Sequence, residues 1–548
     1  MSSRDHESKH EKSMVGPHSD VDIVVEDAGT IYDAELAETK ELKQGLRQRH
    51  IQMIALAGAI GTGLFLGSGR AIGRSGPLGA WLAYTIVGLA CWPLVMVIAE
   101  MGALVPLSGG IVRYAEYFVD PALSFANGWN LVYSYLVSIP AELTAAAVLV
   151  SFWSEVNGAV WITVFGLIMI ACSASLVSVY GELEFFFCTL KIMLIIGINI
   201  MALVITCGGG PTGESIGFRY WRDPGPFVQY LDIPGSLGQF LGFFTSLNNA
   251  IYSYSGLEVI SVAAAETKNP RTAIPSAARR VFWRIALFYI LTIFMVGLVV
   301  PSNAKGILSS SGTASTSPFV VAATTAGIKV VPSIINAIVL TSAWSSGNSN
   351  MLSGSRVLYG MAKHGHAPKI FLRLNRFGVP YVAIALFSLF MCLGYMTLSN
   401  TASTVFGWLQ DLVSVTTVVN WIIITLTYLR FYYGCKAQGI DRKTSLPYAA
   451  PFQPYTTWAA LVLFVILLTF GGFKTFIHGY WSDETFVSSY INVPLVLLLY
   501  FGYKLWHKTK IVPLSEIPIK PFIQAYQSEE PEIVKPKTGL RKLNVLWS

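Results

Sequence analysis

Charge is what this sequence has least of. Asp, Glu, Lys and Arg make up 13% of its 548 residues, whereas 53% are hydrophobic; soluble domains carry about a quarter charged residues. Most of the chain therefore cannot face water. The basic residues are spread through short loops, which speaks against a nucleic-acid-binding face. Cysteine is scarce as well. Cys91, Cys172, Cys188 and Cys392 lie inside apolar runs, and Cys207 and Cys435 lie near run ends. No disulfide framework and no zinc-ligand spacing is implied. Asn-x-Ser/Thr is missing throughout, so N-glycosylation is not expected. The first fifty residues hold no apolar core near Met1, which predicts no cleavable signal peptide and a disordered cytosolic tail.

What the chain does have is long apolar runs. A spanning helix needs about 20 mostly apolar residues, and such runs lie at 51–72, 78–104, 123–152, 159–179, 183–207, 238–263, 282–301, 331–360, 379–398, 405–431, 456–477 and 487–506. The fold expected is an all-α polytopic membrane protein with twelve transmembrane helices. Lys and Arg set the orientation. With the N-terminus inside, fourteen fall in inner loops and seven in outer ones, which puts both termini in the cytosol. The outer loop 208–237 is rich in Gly and Pro, and neither it nor the C-terminal tail can bury a core of its own.

Two runs are interrupted. The first holds Gly58-Ala59-Ile60-Gly61-Thr62-Gly63, and the sixth holds Tyr252-Ser253-Tyr254-Ser255-Gly256-Leu257-Glu258. Glycine costs a helix about 1 kcal/mol relative to alanine, so unwinding there is cheap. Unwound backbone is tolerated in a membrane only where it lines a cavity or is buried in protein. Freed amides suit a carboxylate and freed carbonyls an ammonium, and an α-amino acid carries both groups. The plainer alternative is close helix packing, since Gly63 and Gly67 fit a GxxxG spacing. Interruptions five helices apart favour a binding site.

The same residues carry a resemblance. Gly58 to Gly69 is similar to the first-helix motif of fungal amino acid permeases, in the amino acid–polyamine–organocation superfamily. Three more stretches resemble that family: Glu100-Met101-Gly102 with Pro106 and Ser108-Gly109-Gly110; Glu266 to Arg271 with Ile274-Pro275; and Ser353 to Arg356 through Ala367-Pro368-Lys369. The resemblance implies an inverted repeat of helices 1–5 and 6–10, with the first and sixth discontinuous and two helices appended. It further implies that amides near Thr62 and Gly63 hold the substrate carboxylate, and that carbonyls near Tyr252, Ser253 and Ser255 hold the ammonium, with the Tyr252 ring as a gate. The family's usual sixth-helix pattern has Ala where Ser255 stands and Thr where Leu257 stands, which bears on side-chain selectivity. The implied segments are a tail at 1–50, a first repeat at 51–207, an outer loop at 208–237 and a second repeat at 238–431. A cytosolic loop with the last two helices at 432–506 and a C-terminal tail at 507–548 complete the chain.

Ionisable residues within apolar runs are functional candidates by default, because each costs about 2.5–3.5 kcal/mol at a helix centre. They are Glu142, Glu184, Lys191, Glu258 and Asp411. Glu142 follows Pro140, which loosens its helix. Glu258 follows the sixth-helix interruption and has a backbone-capping alternative. Glu184 reads as an interfacial helix-end residue. Lys191, by resemblance, takes the place of sodium in proton-coupled relatives; its alternative is an interfacial anchor. Ser342, Ser345, Ser346, Asn348 and Asn350 make the eighth run polar, as pathway lining or as helix–helix contacts. His364 and His366 read as an exposed loop rather than a metal site.

The expected function is a proton-coupled amino acid importer of the plasma membrane, with neither cofactor nor metal. Transport is secondary, since no phosphate loop, nucleotide motif or nucleophile–base pair is present. Ser317 to Val321, Asn375 to Tyr381 and Phe501 to Trp506 are most similar to the dicarboxylic branch. That leans toward acidic amino acids, with broad neutral transport or an amino acid sensor on the same fold as alternatives. Lys9, Lys12, Lys40 and Lys43 in the N-terminal tail suit attachment of ubiquitin by a ligase.

Overall fold

A computed structural model describes residues 61–106, 110–174, 177–211, 213–258, 270–304, 307 and 317–528. Among them the regular elements are helices. A π-turn, Gly63–Gly67, leads into α1 (Ser68–Leu104). Next come α2 (Gly110–Phe118), α3 (Pro121–Val150), α4 (Gly158–Ser173), α5 (Val177–Thr206) and α6 (Gly235–Tyr254). The second half holds α7 (Pro270–Val299), α8 (Pro318–Thr325), α9 (Val331–Lys363), α10 (Tyr381–Phe390) and α11 (Ala402–Ala437). After these come α12 (Tyr455–Phe470), α13 (Asp483–Tyr490), α14 (Asn492–His507) and α15 (Ile519–Ser528).

The expected order of spans is present. α1 contains the C-terminal part of the first span and all of the second, joined at Gly76-Pro77, where Gly76 has φ 78°. The loop around Pro226 presses on that corner: the Leu78 amide donates to the Pro226 carbonyl at 3.1 Å. α3 begins at Pro121 with Asp120 as N-cap, its side chain accepting from the Ala122 amide, the usual arrangement for a helix start. By length and hydropathy, five described helices suffice to cross a membrane, or six if α13 and α14 form one span bent by 42°. Fewer than twelve qualify because Gly63–Leu104 is counted once and α4 and α12 are short. The serines and asparagines of α9 lower its hydropathy. Leu167, Met193, Leu287 and Leu498 are each more than half exposed, as lipid-facing residues must be. The chain is thus an all-α polytopic membrane protein with the inverted-repeat arrangement. The start of the first span and the end of the sixth lie outside the described residues.

Two sub-bundles place the site. α1 packs against α6 and α7, and α3 packs against α9 and α11. At one end, Glu100 of α1 is fully buried and ties three elements together. Arg442 reaches its two carboxylate oxygens at 2.7 and 2.6 Å, and the Tyr428 hydroxyl and the Ala450 amide each donate at 2.8 Å. The C-terminal segment docks at the same end. The Val512 amide donates to the Val119 carbonyl, the Gln438 side chain donates to the Leu514 and Ile517 carbonyls, and α15 buries Ile519, Phe522 and Ile523. That tail, expected to have no core of its own, uses the core of the helical body.

Candidate functional site

The cleft lies where the start of the π-turn meets the broken end of α6. α6 stops at Tyr254; Ser255 is extended (φ −60°, ψ 145°) and Gly256 has φ 84°, a conformation that favours glycine. Gly63 lies against α6 so closely that a Cβ there would stand 2.7 Å from Ser253 Cα. Two buried tyrosines brace this contact. The Tyr84 and Ser253 hydroxyls are 2.9 Å apart, and the Tyr289 hydroxyl donates to the Ser253 carbonyl at 2.9 Å.

Glu142 of α3 enters the cleft from the opposite wall and is buried. Ser346 of α9 donates to its Oε1 at 3.0 Å, and the Tyr252 hydroxyl lies 3.5 Å from the same oxygen. The Tyr252 hydroxyl is also 3.3 Å from Thr62 Oγ1, so it links Thr62 to Glu142. A Cβ on Gly61 would come within 2.9 Å of Glu142 Oε1. The segment expected to meet a substrate carboxylate therefore lies beside a carboxylate of the protein. Glu142 Oε2 has no hydrogen-bond partner among the described residues. The cleft is narrow, with a volume of about 60 Å³, enough for a few waters.

Of the residues singled out in the sequence, Gly61, Gly63, Glu142, Tyr252, Ser255, Gly256 and Glu258 line this one space. Thr62 and Ser253 stand directly behind it, and Gly58 lies outside the described residues. Glu258 accepts from Asn420 Nδ2 at 3.2 Å and Trp421 Nε1 at 3.4 Å, so α11 holds its side chain. Lys191 of α5 is fully buried, which removes the interfacial anchor as its explanation, and it lies within electrostatic reach of Glu142 and Glu184. Glu184 is not interfacial, as its position near a run end had suggested. It is buried, and Ser345 approaches both its oxygens at 2.9 Å. Of the polar α9 residues, Ser346 and Asn350 line the cleft and Ser342 does not. His366 is half-buried between Phe125 and Tyr503; burial first, and the nearby Arg113 second, hold its imidazole below the usual range. Sequence reasoning missed Ser134, Ser138 and Thr417 in the lining, and Tyr84 and Tyr289 behind it. Single hydroxyls in apolar runs give no periodic signal.

Beside the cleft, the Tyr252 ring meets Phe406 edge-on at 6.0 Å, and the Arg70 guanidinium lies 5.3 Å from the Phe406 ring centre. Phe406 and Arg70 belong to a second and larger cavity. The aromatic pair thus joins the wall of one space to the wall of the other.

The sequence profile of amino acid permeases matches residues 50–515. The chain belongs to the amino acid permease family. This permease is 38% identical to the dicarboxylic amino acid permease of Saccharomyces cerevisiae, over 90% of its own length and 82% of the relative's. It is 37% identical to that organism's proline-specific permease, over 92% and 83%, and 36% identical to its lysine-specific permease, over 88% and 79%. Among solved structures, a manganese transporter of Eremococcus coleocola superposes with a TM-score of 0.54 at 14% identity, covering 88% of this chain and 96% of the transporter. That likeness concerns the fold alone.

Proposed function

We propose that this permease imports amino acids together with protons across the plasma membrane, both termini in the cytosol, with a preference for acidic substrates. The observation that carries the reading is Glu142 beside Gly61 and linked to Thr62 through the Tyr252 hydroxyl, at the segment of the first span expected to offer its amides. A substrate carboxylate needs those same donors. Two ionised carboxylates do not share a small, water-poor site, so loading requires Glu142 to move away or to take up a proton. Protonation frees the amides for the substrate and sends one proton along with it. Tyr252, bonded to both Thr62 and Glu142, senses that exchange and opens away from Phe406.

The carbonyls at the end of α6 then serve the substrate ammonium. The Ser253 carbonyl already accepts from Tyr289 and keeps a second lone pair. Lys191 takes the role of a fixed cation between α5 and the carboxylates, in the place sodium holds in other carriers. The cleft volume of about 60 Å³ fits a contracted state, and alternating access widens it as the two repeats move against each other. The curated relatives of nearly equal identity are named for dicarboxylic, proline and lysine transport; side chains rather than the shared backbone must choose among them. Ubiquitin ligases acting on the tail lysines would set surface residence. The test is uptake of labelled aspartate in a host without its own permeases, with and without a protonophore. Loss of accumulation on collapsing the proton gradient is expected; accumulation that survives it removes the coupling.

A further inference from the structure

The second cavity has a volume of about 440 Å³, against about 60 Å³ for the cleft. It is lined by three cations, Arg70, Arg74 and Lys474, and one anion, Asp411. Asp411 lies within electrostatic reach of all three cations, yet none forms an ion pair with it among the described residues. The lining therefore carries a net charge of 3 − 1 = +2. Arg70 is held in place by the Ser403 carbonyl and hydroxyl, with donors left over. The spare Arg70 donors and the surplus positive charge call for an anion.

We propose that this vestibule is a capture site for an anionic amino acid, occupied before the Tyr252–Phe406 pair opens. Its Arg74 and Lys474 attract the side-chain carboxylate, and Arg70 hands it toward the cleft. The vestibule lies at the end of the bundle that carries the 208–237 loop and Lys474, the end assigned to the outside by the basic-residue count. Cavities lined by one sign of charge raise local substrate concentration by about 10- to 1,000-fold, and salt weakens them. This inference rests on the acidic-substrate reading and adds a residue-level origin for it.

The test is the KM for labelled aspartate at low and high ionic strength, in the full-length protein in cells. For the wild type, KM should rise with salt. In the Arg74→Gln, Lys474→Gln double variant, KM at low salt should be roughly 5- to 50-fold higher, with the salt dependence gone and the maximal rate kept. Asp411→Asn removes the one opposing charge and should lower KM, a gain that damaged folding does not mimic. If the wild type carries aspartate but neither change moves its KM, the vestibule proposal is overturned and acidic transport stands. If the wild type carries neither aspartate nor glutamate, the acidic reading is overturned and the proposal goes with it.

Discussion

Gly63→Ala adds one methyl group at the closest approach of the π-turn to α6. The new Cβ would stand 2.7 Å from Ser253 Cα, 2.8 Å from Ser253 Oγ and 3.0 Å from Tyr252 Cδ1, where ordinary contact begins at 3.4 Å. The Ser253 hydroxyl can turn away, but Cα is backbone, and it must retreat by about 0.7 Å (3.4 − 2.7). The Tyr84 and Tyr289 contacts to Ser253 oppose that retreat. Overpacking of this kind costs about 1–3 kcal/mol, which is roughly 5- to 150-fold in any equilibrium that needs the two elements together. The assay is the initial rate of uptake normalised to protein at the cell surface. Gly197→Ala is the control, because a Cβ there meets nothing within 4 Å. Gly61→Ala should be intermediate, since its Cβ meets the movable end of Glu142 at 2.9 Å. If Gly63→Ala transports as well as Gly197→Ala at equal surface density, the contact between the two interrupted spans is not part of the transport cycle.

Three further outcomes are expected. Lys191→Met should abolish concentrative uptake while much of the protein still reaches the surface, and replacing sodium with choline should leave wild-type uptake unchanged; a sodium requirement refutes the role assigned to Lys191. Changing Lys9, Lys12, Lys40 and Lys43 to Arg should slow removal from the surface without altering initial uptake, as followed by surface labelling over time; unchanged turnover rejects ubiquitin control through this tail. Arg442→Ala strands the buried Glu100 carboxylate and should cost about 3–5 kcal/mol, read as earlier thermal unfolding in detergent, whereas an unshifted transition would mean that water reaches Glu100.

The spans were legible because a bilayer demands long apolar runs, and α3, α5, α10 and α11 follow the sequence pattern closely. The sixth-span interruption was legible as well, since Ser255 and Gly256 break helical propensity where no loop belongs. Which carboxylate faces the opened backbone was only half legible. Glu142 and Glu184 look alike as lone acids in apolar runs, and only packing places Ser346 on one and Ser345 on the other. The vestibule was not legible. Arg70 lies at the end of the first run and Arg74 just after it, Asp411 in the tenth and Lys474 near the end of the eleventh, and no local pattern links residues so far apart. The docking of the C-terminal segment was equally hidden, because its few apolar residues, Ile519, Phe522 and Ile523, find their partners on α2 and α11.

The central claim is that a carboxylate-bearing amino acid and a proton enter together at the junction of the two interrupted spans. Its most direct test is the initial rate of labelled aspartate uptake at external pH about 5 and about 7, with unlabelled glutamate or leucine as competitor, in wild type and Glu142→Gln. The wild type should be faster at the lower pH, since carboxylates titrate below neutrality, and glutamate should compete far better than leucine. Glu142→Gln, with no proton to exchange, should lose the pH dependence and the accumulation while still binding substrate. Uptake that ignores pH in the wild type, or a Glu142→Gln protein that still concentrates aspartate under a proton gradient, would contradict it.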